Sequence, residues 1–296
     1  MNQSTQKQKK MNPFLKFFKI ISTQMSRLPK KTKRNTVVAC CVLIIVGIII
    51  SAVCAPGASV SSASETQQTQ ETTQPATAKP VVEKKHQING IPIVVQDYYK
   101  AGCETYACTM LLQGLGYDID EHEFVDNYLI RRDMSYDENG TMYGPDMNSA
   151  FAGDIFTGHG INSPAMAKSM NQYLKTQKTD NRAYSIKGKT LAQLCDIYIS
   201  HDIPVMTWVT TYMDESYERF SWVVDYVDEN AEYKIGDEVA WRQNEHCMVL
   251  IGYNEKEYIF CDSVAGKIVS HDKALAETRF KEIGNQAVVV KNTFLF

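Results

Sequence analysis

The first 35 residues of this 296-residue sequence contain no aspartate or glutamate, and the whole chain contains no C-x-x-C pair. Without paired cysteines a structural zinc module is not expected, and eight cysteines in 296 residues are too few for a disulfide-built scaffold. No internal repeat is present, which excludes a solenoid. The net charge of −3 lacks the basic excess of a nucleic-acid binder. No cofactor and no metal are expected.

What is present falls into four stretches. Residues 1–35 carry ten Lys and Arg, and the remainder of the chain is acidic. The next stretch, residues 36–55, is "TVVACCVLIIVGIIISAVCA", uncharged throughout. A helix needs about 20 apolar residues to cross a bilayer core of roughly 30 Å. A cleaved signal peptide is the alternative, but its apolar core would be shorter, roughly 7–15 residues. The basic flank predicts a single-pass anchor in the cell membrane, with a cytoplasmic N-terminus and the rest of the chain extracellular. Residues 56–86 are rich in Ser, Thr, Gln and Ala. With so little to bury they read as a stalk, about 30 Å end to end if flexible.

Residues 87–296 carry a globular pattern. A short strand is expected within Gly90 to Tyr99, then helices from Cys103, over Glu121 to Arg132, Ser163 to Gln177 and Thr190 to His201. Met134 to Gly160, rich in Gly, Asp and Asn, reads as a long loop. Ile203 to Met213, His246 to His271 and Gln286 to Val290 read as strands. Helices followed by antiparallel strands predict one α+β domain.

Five cysteines lie beyond the apolar run: Cys103, Cys108, Cys195, Cys247 and Cys261. Cys103 follows Gly102 at the start of a predicted helix, where the positive end of the helix dipole favours thiolate. Cys108 sits on another face and reads as core. A thiol needs a base, and His246 opens an apolar run that turns near Asn254 to Glu257 and returns to Asp262. Folded as a hairpin, this stretch brings His246 and Asp262 to the same end, where the carboxylate can orient the imidazole. Gln96, seven residues before Cys103, offers a side-chain amide for an oxyanion. Glu104 and Glu245 flank these residues without an assigned role. The sequence leaves open whether Cys103 rests as a thiol or pairs with Cys247. His159, in a Gly-rich loop, reads as a loop histidine. Tyr98, Tyr99, Tyr143, Trp208, Trp222 and Trp241 read as core or cleft wall.

Five separated stretches follow Gln96 in order: "GCETYACTMLLQGLGY", "FAGDIFTGHGINSPAMAKSM", "IPVMTWVT", "NEHCMVLIGYNEKEYIFCDSVAGK" and "NQAVVV". Together they resemble the stand-alone domains of cysteine peptidase family thirty-nine, which are papain-like and related to the leader-cleaving domains of bacteriocin exporters. The resemblance covers Ile91 to Val290. It implies a papain-like α+β fold with Cys103 as nucleophile, His246 as general base and acid, Asp262 as its orienting residue and Gln96 as oxyanion donor. It places His159 near the cleft. The implied activity is hydrolysis of a peptide or protein at the cell surface. The alternatives are a cell-wall amidase or transpeptidase on the same triad, and a non-catalytic peptide-binding domain. The "GCE" at Cys103 differs from the Asp-Cys-Gly start of the exporter domains.

Overall fold

The computed structural model describes residues 84–292. The basic segment, the apolar run 36–55 and nearly all of the expected stalk lie outside the described residues. Among the described residues no helix is long and apolar enough to cross a membrane.

In chain order the elements are β1 (His86–Gln87), α1 (Cys103–Gly114), α2 (Glu121–Asn127), β2 (Arg131–Arg132), β3 (Ser135–Tyr136), β4 (Met142–Pro145), β5 (Phe151–Ala152), α3 (Ser163–Thr176), β6 (Asn181–Lys187), α4 (Leu191–Ile197), β7 (Val205–Thr210), β8 (Tyr217–Tyr226), β9 (Glu238–Gln243), β10 (Glu245–Tyr253), β11 (Glu257–Asp262), β12 (Lys267–Asp272), α5 (Lys273–Glu282) and β13 (Gln286–Asn292). The main sheet runs β12-β11-β10-β7-β13-β6, with β1 added against β10. All its pairings are antiparallel.

Its central strands show why they lie inside. Every residue of β7 is buried, and so is every residue of β10 after Glu245. Strands covered on both faces read as continuous apolar runs rather than alternating ones. The outer strand β12 instead alternates exposed and partly buried residues, as a half-covered edge does.

Helix α1 packs on β10 and β7 and is buried from Cys103 through Leu112. It is buried on all sides although it carries Glu104, Thr105 and Thr109, as a helix in the middle of a domain is. Its start is tightly fixed, because a Cβ on Gly102 would stand 2.9 Å from the Tyr99 Cβ. No side chain caps that start. The other helices begin conventionally: Asp120 and Asp272 accept from first-turn N–H groups, Thr190 and Gln193 form a capping box, and α3 carries Pro at its start.

Several expectations need correction. Gly90 to Tyr99 joins no ladder, and the strand near the start of the domain is β1 instead. The helix expected over Glu121 to Arg132 ends at Asn127. The expected loop from Met134 to Gly160 contains β3, β4 and β5. Strands β3 and β4 join β8 and β9 in a second sheet, ordered β3-β4-β8-β9. This sheet has its own apolar cluster of Ala152, Trp222, Val224 and Val239. Its β4–β8 pair is parallel and joins residues some 80 apart, a contact that no local pattern encodes. The helix α5 also goes beyond the expected elements. Of the aromatics expected in the core or the cleft wall, Trp208 and Trp222 are fully buried, while Tyr98 is 53% exposed.

Candidate active site

Three structural pieces converge on one cleft of about 460 Å3. The start of α1 brings Cys103, the start of β10 brings Glu245 and His246, and the loop before α3 brings Gly158, His159 and Gly160. Gln96 lines the same cleft.

His246 and Asp262 are joined by the hairpin. The pairing of Val249 with Cys261 continues to place Met248 opposite Asp262, so His246 stands diagonally across on the same face. Asn254 closes the turn by accepting from the N–H groups of Lys256 and Glu257. The result is a 2.9 Å hydrogen bond between His246 Nε2 and Asp262 Oδ1, with both residues buried. An ionised carboxylate only accepts, so Nε2 carries the hydrogen and Nδ1 is left as the basic nitrogen. Oδ1 also accepts from the N–H groups of Val264 and Ala265. Burial alone would push the Asp262 carboxyl up. The hydrogen bond and charge of His246, with those two N–H groups, hold it below its ordinary range.

The surroundings of Cys103 differ from the expectation of a dipole-stabilised thiolate. Its Sγ donates to Glu104 Oε2 at 3.2 Å and lies 4.0 Å from Glu245 Oε2. Burial pushes the thiol well above its ordinary range, and Glu104, Glu245 and Cys247 push it further. Two carboxyl groups in contact distance outweigh a helix end worth about 0.3–1 kcal/mol. Among the described residues no hydrogen bond joins Cys103 to His246, although both line the cleft. All five described cysteines are free, so Cys103 is not paired with Cys247.

Gln96 is held in place at the cleft. Its Nε2 donates to the carbonyls of Tyr99 and Lys100, at 3.0 and 3.2 Å, and its Oε1 accepts from Ser263. One of those two donated bonds must be released before the amide can serve an oxyanion. The N–H of Cys103, at an uncapped helix start, has no intrahelical acceptor.

His159 is more than a loop histidine. Its ring is surrounded by Phe220, Trp222 and Trp241, and its carbonyl accepts from the Trp241 indole N–H at 2.7 Å. Burial, then the charge of Arg219, holds its imidazole below the ordinary range. This packing fastens the loop that carries Gly160 to the second sheet.

Glu104 and Glu245 are the neighbours whose place the sequence did not reveal. Glu104 is fully buried, and its Oε1 accepts the Ile161 N–H at 2.8 Å. The sulfur of Cys103 and one oxygen from each carboxyl lie within 4.8 Å of one another. Within this group Sγ donates to Glu104 Oε2 and Glu104 Oε1 is taken by the Ile161 N–H, while Glu245 Oε1 has no hydrogen-bond partner among the described residues.

Comparisons with known proteins agree with this architecture. The chain is 24% identical over 190 residues to the uncharacterized protein YvpB of Bacillus subtilis strain 168, covering 64% of this chain and 69% of that one. The crystal structure of a C39-like peptidase from Bacillus anthracis superposes with a TM-score of 0.57 at 22% identity, covering 71% of this chain and 98% of that one. The model of the Peptidase_C39 like family matches residues 85–288, more than half of the sequence, and the chain therefore belongs to that family.

Proposed function

We propose that the domain is a cysteine peptidase that hydrolyses peptide bonds through Cys103, His246 and Asp262. The observation that carries this reading is the buried His246–Asp262 hydrogen bond, in the same cleft as a cysteine at a helix start. The carboxylate fixes the tautomer that leaves Nδ1 as base. In the first step the Cys103 sulfur bonds to the substrate carbonyl carbon, the thiol proton passes to Nδ1, and the carbonyl electron pair moves onto oxygen. The Cys103 N–H, joined by Gln96 once its amide turns, holds that oxygen. When the pair returns, the C–N bond breaks and the leaving amine takes the proton from His246. Water then attacks the thioester, giving its proton to His246, and the released sulfur recovers a proton.

The site lies in a domain that follows the apolar run 36–55, so we place it outside the cell on a membrane anchor, acting on surface peptides or proteins. Digestion of a peptide library by wild type and Cys103→Ala tests the activity. Cleavage by the wild type alone is expected, and equal cleavage by both would remove Cys103 as nucleophile. Purified muropeptides, assayed beside the library, would reveal a cell-wall amidase or transpeptidase on the same residues. A domain that binds peptides and cleaves neither substrate would be the non-catalytic alternative.

A further inference from the structure

The Cys–His–Asp reading leaves two acidic side chains beside the nucleophile without work. Glu104 Oε2 takes the hydrogen bond of the Cys103 thiol at 3.2 Å, and Glu104 Oε1 takes the Ile161 N–H at 2.8 Å. Gly160 backs the cluster at φ +96°, where a Cβ would stand 2.6 Å from Glu104 Oε1 and 3.4 Å from Glu245 Oε2. Glu245 has the opposite situation. Its Oε1 is buried and has no hydrogen-bond partner among the described residues. Two buried carboxyl groups this close cannot both stay ionised. The one supplied with donors keeps the charge, and the one without them keeps the proton. Glu104 is therefore the anion and Glu245 the acid.

We propose that Glu104 is the resting acceptor of the Cys103 thiol proton, holding the nucleophile as a neutral thiol in the free protein until the S–H turns to His246. The inference deepens the peptidase reading, and its effect on turnover rests on that reading. The state of the thiol itself can be measured without any substrate. The groups facing Cys103 are Glu104 on its own helix and Glu245, His246 and Cys247 on β10. Asp262 stands behind His246 on β11, while His159 and Lys100 line the cleft. The charge nearest to Sγ is that of Glu104, and the acceptor in contact with the thiol is the same group.

The test is the alkylation rate of Cys103 by iodoacetamide between pH 5 and 10, followed by mass spectrometry of the labelled peptide. Glu104→Gln is the informative variant. Its Oε1 can still accept the Ile161 N–H, while an NH2 donor replaces the acceptor facing Sγ. The wild-type rate should rise only at alkaline pH. In Glu104→Gln the rise should move down by at least one unit, giving roughly a ten-fold faster reaction at pH 7. Glu245→Gln, which substitutes a neutral group for a neutral acid, should shift the profile less than Glu104→Gln does. Coincident profiles for wild type and Glu104→Gln would overturn the proposal. So would fast wild-type alkylation at pH 5–6 that disappears in His246→Ala, because the thiol would then already be ionised against the imidazole. That second outcome would leave the peptidase reading intact. Equal peptide cleavage by wild type and Cys103→Ala would instead defeat the peptidase reading and leave the thiol measurement standing.

Discussion

His246 Nε2 donates to Asp262 Oδ1 across 2.9 Å, from adjacent strands of one hairpin and with both residues buried. The bond decides which imidazole nitrogen is basic. Asp262→Ala removes the acceptor that fixes the tautomer and should lower turnover by up to roughly 10⁴-fold, the loss that a wrong tautomer brings in a triad. Asp262→Asn keeps an oxygen able to accept from Nε2–H and should lose less. Turnover of both variants on a cleaved library peptide, with circular dichroism to confirm folding, checks the order.

The same residue sets part of the acid sensitivity. Its folded carboxyl titrates below its unfolded value of about 3.9. Stability from a depressed carboxyl is fully present above the unfolded value and is lost as pH falls through the folded one. The wild type should therefore lose its advantage over Asp262→Asn as pH drops below about 4. Urea midpoints of the two proteins between pH 7 and 2.5 test this, and a constant difference would contradict it.

Glu245 acts with the opposite sign. Burial first, and Glu104 second, push its carboxyl well above the ordinary range. Between the unfolded value, about 4.3, and the higher folded one, the native state binds the extra proton, and stability falls as pH rises. Glu245→Gln removes this penalty. The variant should match the wild type near pH 4 and exceed it in urea midpoint at pH 8.

Gly160 is required by its φ of +96° and by its closeness to the carboxyl pair. Gly160→Ala adds left-handed strain to a 2.6 Å approach to Glu104 Oε1. Strain of this kind costs about 1–3 kcal/mol. Thermal melts should show a fall of several degrees.

Asp146 ties distant loops together away from the cleft. Its buried carboxylate accepts from the N–H groups of Asn148, Glu232 and Tyr233. Asp146→Ala leaves three donors without their acceptor. A loss of about 3 kcal/mol is expected from urea unfolding, with the main sheet preserved in the spectrum of the refolded protein.

The hairpin was readable in the sequence because its information is local. His246, the turn at Asn254 and Asp262 lie within 17 residues, and strand periodicity fixes which side chains share a face. The helix starting at Cys103 was readable for the same reason. The second sheet was not, since the β4–β8 pairing depends on packing around Trp222 and Val239 rather than on neighbouring residues.

The sequence by itself determined the helix that starts at Cys103, the hairpin that pairs His246 with Asp262, and the order of motifs that marks the family. Only the tertiary structure decided what surrounds the thiol. Glu104 is next to Cys103 in the chain, but Glu245 lies 142 residues from it, and the Gly160 loop crosses from yet another direction. A helix dipole can be read from a helix start. The field at a buried sulfur depends on every charge and on the water excluded by packing, so the two carboxyl groups beside Cys103, and the raised thiol, emerged only from the fold.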